Sequence, residues 1–167
     1  DAENHFATQD KRDKLRRSLQ DAIREGVLYQ DADINQDELD FLVNIRVWGD
    51  DKYELANFTD DELVPAITTL ATAQGNPRVA LPTWEQDLRT ELQAARKVHA
   101  DIKVAIGRMR VREDKVALAK LLWPVLRAKC EAEYVAGTPG TPVLKIALEV
   151  QELVAKLTGV SALMGRQ

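Results

Sequence analysis

Residues 31–42, DADINQDELDFL, place oxygen-bearing side chains at alternate positions: Asp31, Asp33, Asn35 and Asp37. That spacing resembles the opening of a calcium loop. An EF-hand loop also needs a glycine at its sixth position for the sharp turn and a bidentate glutamate at its twelfth. Here those positions hold Gln36 and Leu42. The residues instead suit a helix start, with Asn35 as N-cap, Glu38 three residues on, and acidic side chains in the first turn, where the helix dipole favours negative charge.

The other candidate chemistry is thinner. His99 lies on an amphipathic stretch beside Val98, and the sequence suggests no partner that would make it a base. Glu149 and Glu152, three residues apart, form half of a carboxylate metal pair but lack a histidine on an adjacent turn. Cys130, the sole cysteine, falls at helical spacing from Leu126 and reads as a small core residue. No P-loop, Rossmann fingerprint, HExxH, serine elbow or CxxC is present. The expectation is therefore a non-catalytic protein with no cofactor and no bound metal.

Two basic clusters could neutralise phosphates. Lys11, Arg12, Lys14, Arg16 and Arg17 open the first helix, and Arg108, Arg110, Arg112 and Lys115 lie at a potential bend further on. Neither is interleaved with the aromatic side chains that stack bases, and acids ring the first. Charge is also divided along the chain. Residues 1–62 carry seventeen acids against eight bases, and residues 63–167 carry fifteen bases against ten acids. Opposite charges of this kind attract, within one chain or between copies.

What positions these residues is a set of helices. The chain of 167 residues is 45% hydrophobic and 30% charged, enough to bury a core. Apolar residues recur at three- and four-residue spacing, so the fold class is all-α. Leu15, Leu19, Ala22 and Ile23 mark a first helix ending at Gly26, and a second spans about 36–48 before Gly49. FTDDEL, residues 58–63, is a capping box with Thr59 as N-cap, Glu62 at the third helical position and Phe58 as staple to Leu63. The helix behind it is expected to bend or loosen near Pro65.

Residues 76–82, with Asn76, Pro77 and Pro82, read as a linker between an acidic N-terminal helical module (1–75) and a long-helix module (83–167). In that second module Thr83 and Gln86 cap a helix whose apolar stripe continues to about Ala136, with weak points at Gly107 and Pro124. Unbroken it would reach about 80 Å, so a kinked helix, an antiparallel hairpin or a coiled coil with partners is expected. Thr141 then caps and Pro142 opens a last helix ending before Gly159.

Leu88, Leu92, Val98, Ile102 and Ile106 are the candidate self-association residues, since two helices alone cannot cover so long an apolar face. Arg108, Arg110, Arg112 and Lys115 are the candidate phosphate contacts. Trp48, Trp84 and Trp123 sit near helix ends or proline, where large rings pack, with partner anchoring as the alternative role. The expected function is a helical assembly or adaptor protein, with a homo-oligomer or helical partner and no membrane span. A cytoplasmic setting is expected from the single cysteine; a chain that begins at Asp1 is also compatible with a removed leader and a secreted helical effector.

The layout of residues 83–159, a long helical hairpin followed by a short final helix behind a small helical head, is similar in organisation to the small terminase subunits of tailed phages. The resemblance implies a ring-forming subunit that recognises packaging DNA, and it transfers no individual residues.

Overall fold

The structure, a computed structural model, describes residues 8–25 and 51–158. Every regular element among them is helical and none is a strand. The chain divides into two compact units, Asp1–Gly49 and Asp50–Gln167. The first contributes one described helix, α1 (Gln9–Arg24). Along it Asp13 accepts from Gln9 Nε2 at 2.7 Å and pairs with Arg16 at 3.4 Å. The acidic run at 31–42, the helix expected at 36–48 and Trp48 lie outside the described residues.

The second unit contains α2 (Tyr53–Asn57), α3 (Asp60–Ala73), a 3₁₀ turn (Pro77–Ala80), α4 (Trp84–Lys97), α5 (Ile102–Arg108), α6 (Lys115–Ala136) and α7 (Pro142–Thr158). The capping box forms as its sequence requires. Thr59 Oγ1 accepts from Glu62 N at 3.3 Å, and Thr59 N donates to Glu62 Oε2 at 2.7 Å. Phe58 and Leu63, the expected staple, are both buried. α3 stays continuous through Pro65, whose ring lies on the exposed side, where water can satisfy the carbonyl that loses its donor.

Residues 76–82 hold the 3₁₀ turn, and the helices before and after them share one core. Leu63, Ile67 and Leu70 of α3 belong to it with Trp84, Leu88 and Leu92 of α4, Ile102 and Ile106 of α5, and Leu118, Leu122 and Leu126 of α6. Trp84 is buried as its position suggested, and its Nε1 donates to Thr68 Oγ1 at 2.8 Å. A buried indole N–H needs such a partner.

The long stripe is three helices, broken at residues 98–101 and 109–114. α4 begins at Trp84 as expected, but Thr83 makes no side-chain cap; its hydroxyl donates to Asp87 Oδ2 at 3.0 Å. Both breaks end in the same way. The amides of His99 and Ala100 donate back to the carbonyls of Arg96 and Ala95, and those of Arg110 and Val111 to Gly107 and Ile106. His99 and Arg110 take left-handed φ values of 50° and 58°. This is the closing pattern that glycine usually supplies. Asp101 and Asp114 restart the chain as N-caps, accepting from Lys103 N at 2.8 Å and Ala117 N at 2.9 Å. Pro124 breaks nothing, because α6 runs through it with the ring exposed. α7 opens at Pro142 as expected.

Candidate functional site

Two surfaces flank α2, and Phe58 lines both. The first is a polar cleft of about 690 Å³ bounded by α2, the turn into α3, Arg89 and Arg96 of α4, and the end of α6 with the turn into α7. Arg96 organises it. Its Nε reaches Asp60 Oδ1 at 3.0 Å, Nη2 donates to Phe58 O at 2.7 Å, and Nη1 donates to Leu55 O. Lys129 donates to Asn57 O at 3.2 Å and Glu62 Oε2 at 3.1 Å. The Asn57 side chain is buried, donating to Tyr53 O at 2.9 Å and accepting from Val143 N at 2.8 Å.

At the cleft's far end Glu133 accepts from Gly140 N at 2.8 Å, Thr141 N at 2.7 Å and Thr141 Oγ1 at 2.7 Å. Thr141 therefore begins α7 with its hydroxyl committed to α6. Partial burial raises the Glu133 pKa, but these hydrogen bonds and the Lys129 charge outweigh it and hold the carboxyl below its ordinary value. Glu62 is lowered in the same sense, burial being outweighed by hydrogen bonds from Thr59 and Lys129. Arg89 pairs with Asp61 at 2.6 Å. The cleft is thus lined by charges that already neutralise one another, the arrangement of a structural hub.

His99 does have a carboxylate partner, since Nδ1 lies 3.1 Å from Asp51 Oδ1. Among the described residues no nucleophilic side chain bonds its other nitrogen. Glu149 and Glu152 are both exposed on α7. No group of three or more metal-ligating side chains is gathered among the described residues. Cys130 is half-buried against the core, and burial followed by Glu133 pushes its thiol pKa up, the opposite of an activated nucleophile.

The second surface is an apolar trough of about 560 Å³ between α2 and the first half of α6. Tyr53 and Phe58 form one side, and Val116, Leu122 and Trp123 the other. Trp123 is 60% exposed and Val116 66% exposed. Lys115 and Lys120 add positive charge to the α6 side. Among the described residues no helix is long and apolar enough to cross a membrane.

The candidate self-association residues fall elsewhere. Leu88, Leu92, Ile102 and Ile106 are buried in the chain's own core, and only Val98, beside the α4 break, is exposed. Once the stripe folds into three helices they face each other, so no second chain is needed to cover them. Of the candidate phosphate contacts, Arg108, Arg110, Arg112 and Lys115 are all exposed. Arg108 pairs with Glu91 at 2.9 Å and Lys115 with Glu113 at 3.7 Å.

Sequence reasoning missed Arg96, Asn57 and Glu133, whose partners lie far away along the chain, and the trough. For the trough there was one signal: Val116, Ala119, Lys120 and Trp123 share a helix face distinct from that of Leu118, Leu122 and Leu126. No protein-family model, curated protein or solved structure matches this chain.

Proposed function

We propose that this is a non-catalytic helical assembly protein that associates with a second copy of itself through the trough between α2 and α6. What carries the reading is Trp123, a residue type enriched at interface hot spots, standing 60% exposed over an apolar depression. Charge supports a second copy as occupant. The α6 side of the trough carries Lys120 and Lys115, the latter paired with Glu113, facing Glu54 of α2, and residues 1–62 of each chain hold an excess of acids, so opposite charges attract between copies. The polar cleft supports the absence of catalysis in the proposal, because its charges are engaged in holding helices together.

Sedimentation velocity over a concentration series tests it. Reversible association of the wild type is expected, weakened at least ~10-fold by Trp123→Ala, in keeping with the loss of an aromatic anchor. A wild type that stays monomeric to about 100 μM, far above a functional self-affinity, would overturn it. So would a Trp123→Ala variant that associates normally.

A further inference from the structure

The segment RMRVR, residues 108–112, is built in a way that association through the trough does not use. Met109 and Val111 are buried, while Arg108, Arg110 and Arg112 are exposed. The apolar residues anchor the loop, and the alternation turns the three guanidinium groups toward solvent. Side chains from the turn after α3 then fix the backbone. Gln74 Nε2 donates to Arg112 O at 2.8 Å while its Oε1 accepts from Arg112 N at 2.8 Å. Asn76 Nδ2 donates to the carbonyls of Met109 and Arg110, each at 3.1 Å, and Arg78 Nη1 to that of Arg108 at 3.1 Å. Arg110 is held at φ 58°, a conformation that side chains other than glycine and asparagine adopt at a cost.

Arg110 and Arg112 make no ion pair among the described residues, in contrast to Arg89, Arg96 and Arg108. Arginines carried on a fixed backbone with their charges unspent are suited to phosphate, which the guanidinium fork binds through paired hydrogen bonds. We infer that the 108–112 loop binds the phosphodiester backbone of a nucleic-acid duplex. A duplex is favoured over a single strand because residues 101–115 contain no aromatic side chain on which unpaired bases would stack. Because residues 109–114 form neither a helix nor a strand that would carry the arginines into a groove to read base edges, the expected contact is to the backbone and independent of sequence. Glu91 and Glu113 temper the local charge, which places affinity in the non-specific range of roughly 10⁻⁴–10⁻⁶ M.

Fluorescence anisotropy of labelled duplex DNA, duplex RNA and single-stranded DNA, titrated with the full chain across a salt series, decides the matter. Binding to at least one duplex is expected, with a logarithmic salt slope of roughly −2 to −3 for up to three neutralised phosphates. The two duplex arms identify which backbone is taken. Arg110→Ala/Arg112→Ala is expected to weaken binding at least ~10-fold and to flatten the slope by roughly 2. Gln74→Ala keeps every arginine but loosens the loop, and a loss of affinity there separates a built site from loose charge. Exchanging the exposed Lys145 for Ala on α7 is expected to leave binding unchanged. No duplex binding at low salt would overturn the inference, as would a double variant that binds like the wild type. Preference for the single strand, or binding only to anionic lipid vesicles run in parallel, would also overturn it. Association through the trough is read separately by sedimentation, so either result stands without the other.

Discussion

The polar cleft and the apolar trough lie on either side of the five-residue α2 and share Phe58, yet they are finished to different degrees. In the cleft, Arg96, Lys129, Asn57 and Glu133 each bond to backbone atoms of another element. A charge taken partly out of water is tolerated only when such partners are present, and here they are all drawn from the same chain. In the trough the unfavourable exposure remains, with Trp123 and Val116 largely in water. In the cleft the polar groups are matched within the chain, whereas in the trough apolar side chains outside the buried core stay exposed, the surface proposed above for association. Changes in the cleft should therefore cost stability and spare association, and changes in the trough should do the reverse.

The largest effect is expected from Arg96→Ala. It removes a partly buried cation and leaves the Leu55 and Phe58 carbonyls and the Asp60 carboxylate without their donor. Breaking such a set costs about 3 kcal/mol, toward the lower end for buried pairs because the side chain retains some solvent contact. Thermal unfolding by circular dichroism should show a melting temperature lower by many degrees. Unchanged melting would mean that the cleft does not hold α2 to α4. Thr59→Ala removes only the cap of α3 and should cost about 1 kcal/mol, with oligomeric state unchanged.

How far the sequence could reveal these regions depends on chain distance. The capping box at Thr59 and Glu62 and the start of α7 at Pro142 are local, so residue types alone located them. Helix ends divide instructively. α3 and α6 close on Gly75 and Gly137, both at φ 68°, and their ends are evident from sequence. α4 and α5 close with the same backbone bonds on His99 and Arg110, where packing of Ala95, Ile102, Met109 and Val111 forces the left-handed turn. Gly107 marks a weak point near the second break, but no glycine stands at either left-handed position and none lies near the first break. The sequence therefore leaves the path of the stripe open, and four residues that the fold buries, Leu88, Leu92, Ile102 and Ile106, have the spacing of an association face. The N-caps Asp101 and Asp114 were the signals available. Arg96 with Leu55 and Asn57 with Val143 are long-range pairs that no local pattern announces.

Acid should weaken the cleft by a smaller amount. Glu62 and Glu133 both have folded-state pKa values below the ordinary 4.5, so the unfolded chain binds more protons in the interval between the two states' values. Their contribution is fully present above 4.5 and is lost as pH falls through the lowered folded values. Melting temperature should therefore drop on acidification below that point. Both carboxylates are partly solvated, so screening keeps the effect below that of the Arg96 substitution. Glu133→Gln should reduce the acid dependence, and an unaltered pH profile would show that the carboxylate contributes nothing to holding α7 on α6.

Trp123→Ala should have the smallest effect on stability and gives the sharpest separation of the two surfaces. Because its ring is 60% exposed, truncation removes little buried area. The change should fall within the roughly 0.5 kcal/mol typical of surface positions, a shift of about one or two degrees in melting temperature for a chain of this size. The measurement belongs at a protein concentration below the association range, since binding that favours the folded state would add its own stabilisation. At higher concentration the wild type should gain melting temperature and the variant should not. That concentration dependence is the mark of exposed surface awaiting a second copy. If the dilute variant instead melts many degrees lower, Trp123 is part of the fold's own packing, the trough is a seam within the chain, and the contrast with the cleft disappears.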